Sequence, residues 1–277
     1  MRWREWLGRA VLAAGFFGFL LLFGGILFAV ISRGISCLQP AMLWRTPSVL
    51  EGRQGLLPQI VNTAVICLLS LAVAMPAGLG CAILLLRADH PMGRMLSAAL
   101  GALSTVPSAV YGLFGLLAFS QRLGMRYSIL SGALTAALLI LPTAAQTAHR
   151  AIQGTVQSGR TAARALGATE GEFYRGIVLP AARSGLVSAG LLCAARVAGE
   201  SAALLLTSGI GNALPGADPR GWGSYLLSSG ASLAVGIYQA LLEGENDAAF
   251  AAALVLLVLL SLLGWAAQAL GGRDGGD

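Results

Sequence analysis

Two charged residues stand out by their surroundings. Arg196 and Glu200 lie in LLCAARVAGESAALLL, residues 191–206, which is otherwise apolar. At a spacing of four they would share one face of a helix. A charge near the centre of a bilayer costs about 2.5–3.5 kcal/mol on insertion scales, so such residues face a bundle interior or water. Arginine offers a planar fork of N–H donors that grips two oxygens of an oxyanion at once. A glutamate four residues on would partly balance it, leaving a weak site that an ion could enter and leave. The same pair has a structural reading, Arg neutralised by Glu to hold a bundle, and the two roles are compatible. A second group is Ser104, Thr105 and Ser108 around Pro107. Proline removes a backbone donor and frees the carbonyl near residue 103. Hydroxyls close by could satisfy that carbonyl and line a polar cavity. A kinked packing interface would use the same residues.

Other chemistry is absent from the sequence. All 18 cationic residues are Arg, so neither a P-loop nor a catalytic lysine is possible, and ATP has no site here. Cys37, Cys67, Cys81 and Cys193 have no metal-ligand spacing and read as small apolar residues in helices. His90 and His149 are too far apart for a metal site, and His149 reads as a solvated or capping residue at a helix end. Gly209 and Gly211 form a GxG, but Leu214 breaks a dinucleotide fingerprint. No cofactor, metal or catalytic residue is expected, and no nucleic-acid partner.

The elements that must position these residues are membrane helices. Apolar residues make up 56% and charged residues 11%, against roughly 25% charged in an ordinary soluble domain. Mean hydropathy is +0.76. A spanning helix needs about 20 apolar residues. Stretches between charges place spans near 10–31, 60–86, 95–120, 127–149, 184–207 and 248–270. The chain is therefore expected to be an all-α polytopic membrane protein with about six transmembrane helices. The first stretch is longer than a signal-peptide core and no AxA-type site follows promptly, so it reads as an anchor. Residues 221–242 are also uncharged and long enough to span, but their Ser and Gly content and the preceding Gly/Pro loop favour an interfacial or re-entrant segment over a seventh span.

With six spans both termini share a side. An inside N-terminus places 11 Arg inside (2, 4, 9, 87, 94, 150, 160, 164, 175, 183 and 273) and 6 outside (33, 45, 53, 122, 126 and 220). The bias favours a cytoplasmic N-terminus. Ala194, Ala198 and Ala202, four apart, would let the fifth helix pack closely on a neighbour.

The longest inner segment, 150–183, is amphipathic at helical spacing on each side of Gly167. Ala162, Ala163 and Leu166, then Phe173 and Ile177, fit one face, and Pro180 closes the second piece. A helix–turn–helix at the membrane surface is expected. It either folds back on its own bundle or docks on a soluble partner.

Ala162-Ala163, Gly167 and, after nine residues, Ile177-x-Leu179-Pro180 resemble the EAA loop of ABC importer permeases. The motif's Glu is Thr161 here, and Thr can cap a helix N-terminus. Residues 104–114, STVPSAVYGLF, and 195–202, ARVAGESA, resemble segments of phosphate permeases. In layout the chain is similar to the phosphate permease of the PstA type over residues 55–270, departing at Thr161, Ser201 and 208–247. The resemblance implies a type I ABC importer permease fold. It implies a coupling loop (Ala162, Ala163, Gly167, Ile177, Leu179 and Pro180) seated on an ATPase subunit of PstB type. It implies a second permease of PstC type as heterodimer and an extracytoplasmic phosphate-binding protein. It also implies a substrate pathway at Arg196, Glu200, Ser104 and Ser108, all in a bacterial cytoplasmic (inner) membrane. On that layout, residues 1–59 are an anchor helix and first outer loop, 60–270 the transmembrane domain, and 271–277 a short polar tail. Rival readings are a permease for molybdate, tungstate or sulfate, an ATP-independent transporter or channel, and a membrane sensor.

Overall fold

A computed structural model describes residues 2–48, 54–86, 91–216 and 221–271. Arg53, Arg87, His90, Arg220, Arg273 and the polar tail beyond Gly271 lie outside the described residues. The described chain is helical, with an isolated bridge between Asn212 and Gly230. In chain order the helices are α1 Arg2–Cys37, α2 Leu57–Leu85, α3 Pro91–Thr105, α4 Ser108–Gly115, α5 Ile129–Ala165, α6 Glu170–Phe173, α7 Leu179–Ala181, α8 Arg183–Ala198, α9 Ala202–Thr207, α10 Trp222–Leu226, α11 Leu233–Leu242 and α12 Asn246–Gly271.

Among the described residues four helices are long and apolar enough to cross a membrane unbroken: Val11–Cys37 within α1, then α2, α5 and α12. The expected third and fifth spans are both broken. The third bends by 98° between α3 and α4, and α8 turns by 69° away from α6–α7. Pro107 explains the first break. It sits in extended backbone (φ −59°, ψ 143°), and a proline disfavours helical backbone in the residue before it. The turn at Ala182 precedes the expected fifth span, 184–207; the span itself is interrupted farther on, because α8 ends at Ala198 and α9 starts at Ala202.

The expected end of the fourth span also moves. The chain does not leave the helix near residue 149. Ser128 caps the start of α5 by accepting from Ser131 N–H at 3.2 Å, and the helix continues for 37 residues to Ala165. At 1.5 Å per residue that is about 55 Å. His149 therefore lies inside a helix, with Nδ1 3.3 Å from the Ala82 carbonyl of α2.

Small residues let α5 occupy the centre. Ala133, Ala136, Ala137, Ala144, Ala145 and Ala148 are buried. Opposite them, a Cβ on Gly78 of α2 would fall 2.9 Å from the Ala144 Cβ, so the helices meet at backbone distance. Of the small residues expected on the fifth helix, Ala194 and Ala198 are buried, while Ala202 stands beyond the break. By contrast α1 is exposed from Val11 to Ile26 and meets α12 near its end, where Gly34 abuts Leu254.

Residues 221–242 form α10, a turn and α11. Ten residues of α11 rise about 15 Å, half the hydrocarbon core, so this stretch is no seventh span. It is tied into the core by polar groups of α2. Asn62 Nδ2 donates to the Ala231 carbonyl at 3.3 Å, Tyr225 OH donates to Asn62 Oδ1 at 2.8 Å, and Leu233 N–H donates to Thr63 Oγ1 at 2.9 Å. Ala231, Leu233 and Val235 are fully buried above them.

Candidate functional site

The break at Pro107 exposes the carbonyl that proline leaves without its helical donor, that of Leu103. The expected partners do not take it. Ser104 Oγ donates to Gly101 O at 2.7 Å, and Thr105 Oγ1 donates to Ala102 O at 2.8 Å. Tyr111 OH, one turn into α4, reaches back across the elbow to Leu103 O at 2.9 Å. Ser104 is exposed and Ser108, the first residue of α4, is half-buried. Neither makes a recorded hydrogen bond to Arg196 or Glu200 among the described residues. α4 packs on α9 through Gly112, whose Cβ would lie 2.8 Å from the Ala203 Cα.

Arg196 and Glu200 do not share a helix face. Arg196 occupies the last turn of α8, whereas Glu200 falls in the break before α9. Each has another partner. Arg196 Nη1 donates to Thr143 Oγ1 of α5 at 3.3 Å. Glu200 Oε1 accepts from Ala203 N–H at 3.3 Å. The cause is local. A new helix starting at Ala202 has unsatisfied N–H groups and a positive end, and both attract a carboxylate. No ion pair joins Arg196 to Glu200 among the described residues, and the Arg196 side chain is exposed. Thr143 and Tyr111 were not singled out from the sequence. The available signal was a hydroxyl directly after Pro142 in mid-span, with a second, Thr147, four residues on.

The 150–183 segment is the expected helix–turn–helix, but its first helix is the end of α5. Thr161 stands near the C-terminal end of that helix and is exposed, so it caps no N-terminus. Gly167 makes the turn with φ +77°, a conformation glycine adopts at no steric cost. Its N–H donates to Arg164 O, and Ala168 N–H donates to Ala163 O, both at 3.0 Å. Thr169 caps the next helix. Its hydroxyl accepts from Glu172 N–H at 3.3 Å while Glu172 Oε2 accepts from Thr169 N–H at 2.8 Å, a capping box. Those contacts, the backbone one first, hold the Glu172 carboxyl below its usual range.

Glu170 clamps the turn from the other side. Its Oε1 accepts from Arg164 at 2.8 Å and its Oε2 from Arg160 at 3.0 Å. These bonds, with Arg164 contributing most, hold the Glu170 carboxyl below the ordinary value. One turn before Pro180 the helix widens. Leu179 N–H donates to Tyr174 O, five residues back, which accommodates a residue without an N–H. The helix then runs through Pro180 to Ala181 instead of ending at the proline.

The expected single apolar face divides in two. Ala163, Phe173, Tyr174 and Val178 point inward onto Ala82, Ala148, Ile152 and Val156. Ala162, Leu166 and Ile177 point outward, with Leu166 87% and Ile177 45% exposed. Leu179 is half-buried and Pro180 exposed. The loop thus folds back on its bundle and still presents apolar residues at its tip. Among the described residues no group of acidic, His and Cys side chains could hold a metal ion.

Residues 74–273 match the family model of the binding-protein-dependent transport system inner membrane component. The chain belongs to this family of transport permeases. It is a multi-pass inner membrane protein with the importer-permease fold. The permease is 30% identical over 245 residues to "Phosphate transport system permease protein PstA 2" of Mycobacterium bovis, covering 86% of this chain and 78% of that one. It is 27% identical over 206 residues to "Probable ABC transporter permease protein YqgI" of Bacillus subtilis, covering 72% and 70%. Its fold is similar to a chain of the inward-facing MetNI methionine ABC transporter, with a TM-score of 0.59 at 17% identity, over 86% of this chain and all of that chain.

Proposed function

We propose that the permease is the membrane-spanning half of an ATP-driven phosphate importer. The observation that carries this reading is the exposed Arg196 guanidinium where α8 meets α5, un-neutralised by Glu200 and, among the described residues, held by one neutral hydroxyl. An arginine left with free N–H donors in a membrane helix suits an oxyanion. One such residue holds the ion weakly enough to release it. Similarity to permeases named for phosphate supports phosphate over other oxyanions.

In this mechanism Arg196 meets the ion. Ser104, Ser108 and Glu200 line the path beside it. A second permease of PstC type closes the open side, and an extracytoplasmic phosphate-binding protein delivers the substrate. An ATPase of PstB type hydrolyses ATP and seats on the tip formed by Ala162, Ala163, Gly167, Ile177, Leu179 and Pro180. The N-terminus lies on the cytoplasmic side, with the ATPase. The physical link is α5, because Thr143 and Ala163 stand on one unbroken helix about 30 Å apart. A tilt imposed at the loop therefore moves the residue that touches Arg196, and the elbows at Pro107 and Ala182 give way.

The test is uptake of radiolabelled phosphate in cells lacking their own high-affinity system. The complex is supplied whole, wild type against Arg196→Gln. Restored uptake by wild type and its loss in an assembled mutant supports the proposal. Transport of molybdate or sulfate without phosphate overturns the substrate. Normal uptake by the mutant overturns the role of Arg196.

A further inference from the structure

We infer that Thr143 is a second substrate-contacting residue, its hydroxyl accepting from Arg196 and donating its own proton to the same oxyanion. This rests on the proposed reading of Arg196 as the group that meets the ion.

Other hydroxyls of the core helices, on α5 itself as well as on its neighbours, share a habit. Thr63, Ser70, Thr135, Thr147, Thr207 and Ser208 each donate to the carbonyl four residues earlier. That bond hides a hydroxyl proton inside the helix. Thr143 departs from the habit. It makes no such bond to Leu139, and its oxygen instead receives an N–H from Arg196, 53 residues away. A threonine hydroxyl that accepts one bond still carries its proton. That proton has no recorded acceptor among the described residues.

Thr147, Tyr111 and Glu200 are already committed elsewhere. Thr147 donates to the Thr143 and Ala144 carbonyls, Tyr111 to Leu103 O, and Glu200 accepts from Ala203 N–H. Thr143 is half-buried and touches an exposed guanidinium, so the pair reaches the surface of the chain together. The spare N–H groups of Arg196 and the O–H of Thr143 then form an all-donor set. Such a set suits an ionised oxyanion, which has acceptors on every side. The buried Pro142 beside Thr143 and the Ala-rich face of α5 fix the register of that hydroxyl.

The experiment uses the whole transporter with Thr143→Val, Thr143→Ser and Arg196→Gln. Two quantities are read: phosphate moved per ATP hydrolysed, and ATP hydrolysis stimulated by the loaded binding protein. Thr143→Val is expected to move about tenfold less phosphate per ATP, as for one lost hydrogen bond to a charged group, with stimulation retained. Thr143→Ser is expected to stay within about twofold of wild type. The inference is overturned if Thr143→Val transports normally, if Ser and Val are equally defective, or if transport and hydrolysis fall in proportion, as a packing role requires. If Thr143→Val does not assemble, Thr143→Ala is judged by the same criteria. A harmless Arg196→Gln overturns the pathway reading itself. Loss in Arg196→Gln with normal Thr143→Val overturns only the role of Thr143.

Discussion

Replacing Asn62 by leucine should release the 222–235 segment from the core. Asn62 is fully buried, and its amide bonds both α10 and the turn that follows it. It donates to the Ala231 carbonyl and accepts from Tyr225 OH. Leucine matches its size but makes neither bond, and it leaves both partners in an apolar surround. Tyr225 is 4% exposed and Ala231 0%, so water offers little replacement. An orphaned buried donor or acceptor costs about 1–3 kcal/mol. Two give a loss of about 2–6 kcal/mol. At roughly 2–4 °C per kcal/mol for a chain of this size, the melting temperature of the detergent-purified transporter should fall by about 4–24 °C. Tyr225→Phe strands only Asn62 Oδ1 and should cost roughly half as much. In the double variant the two losses should not add, because both act on one bond. Limited proteolysis between residues 210 and 235 gives an independent reading and should speed up in Asn62→Leu. An unchanged melting temperature together with unchanged proteolysis would refute the argument, since two stranded buried groups could not be silent. Full additivity in the double variant would refute the assignment of the Tyr225–Asn62 bond in particular.

Two further outcomes follow from the packing and from the loop. Gly112→Leu should stop α4 seating on α9, because a Cβ there already falls 2.8 Å from the Ala203 backbone; overpacking of this kind costs about 1–3 kcal/mol, and normal assembly and thermal stability of the variant would contradict the close approach. The Glu170 clamp should be insensitive to pH from 8 down to 5 and weaken only in acid. Its carboxyl is held below the usual 4.5, so the stability it lends is present above that value and is lost as pH falls through the lowered one. With the Glu170 and Arg164 side chains 37% and 64% exposed, solvent screening keeps the effect below about 1 kcal/mol. Amide exchange at 160–175 in wild type and Glu170→Gln should differ at pH 6 and converge in acid, and a wild-type transition near neutral pH would count against the clamp.

Whatever depends on neighbours along the chain was legible in the residues alone. Runs of uncharged residues dictate membrane helices, because a buried backbone must bond within its own segment. Pro107 marked a disturbance, and Gly167 marked a turn that only glycine makes freely. The EAA-like spacing and the phosphate-permease-like segments were readable for the same reason, being patterns of residue type at fixed separation. Tertiary structure decided which partner each polar group took. Tyr111 reaches Leu103 where Ser104 and Thr105 were nearer in sequence, because the 98° elbow brings the phenol over the carbonyl. Glu200 leaves Arg196 because a helix start at Ala202 needs its carboxylate. Ala163 turns inward and Ala162 outward because α5 arrives as one rod whose phase was set thirty residues earlier against α2. Residues 221–242 are held short of spanning by Asn62 and Thr63, more than 160 residues away. Helical periodicity describes relations three and four residues apart. Contacts over 53, 163 or 170 residues arise only when helices pack, and that is where the candidate site takes its form.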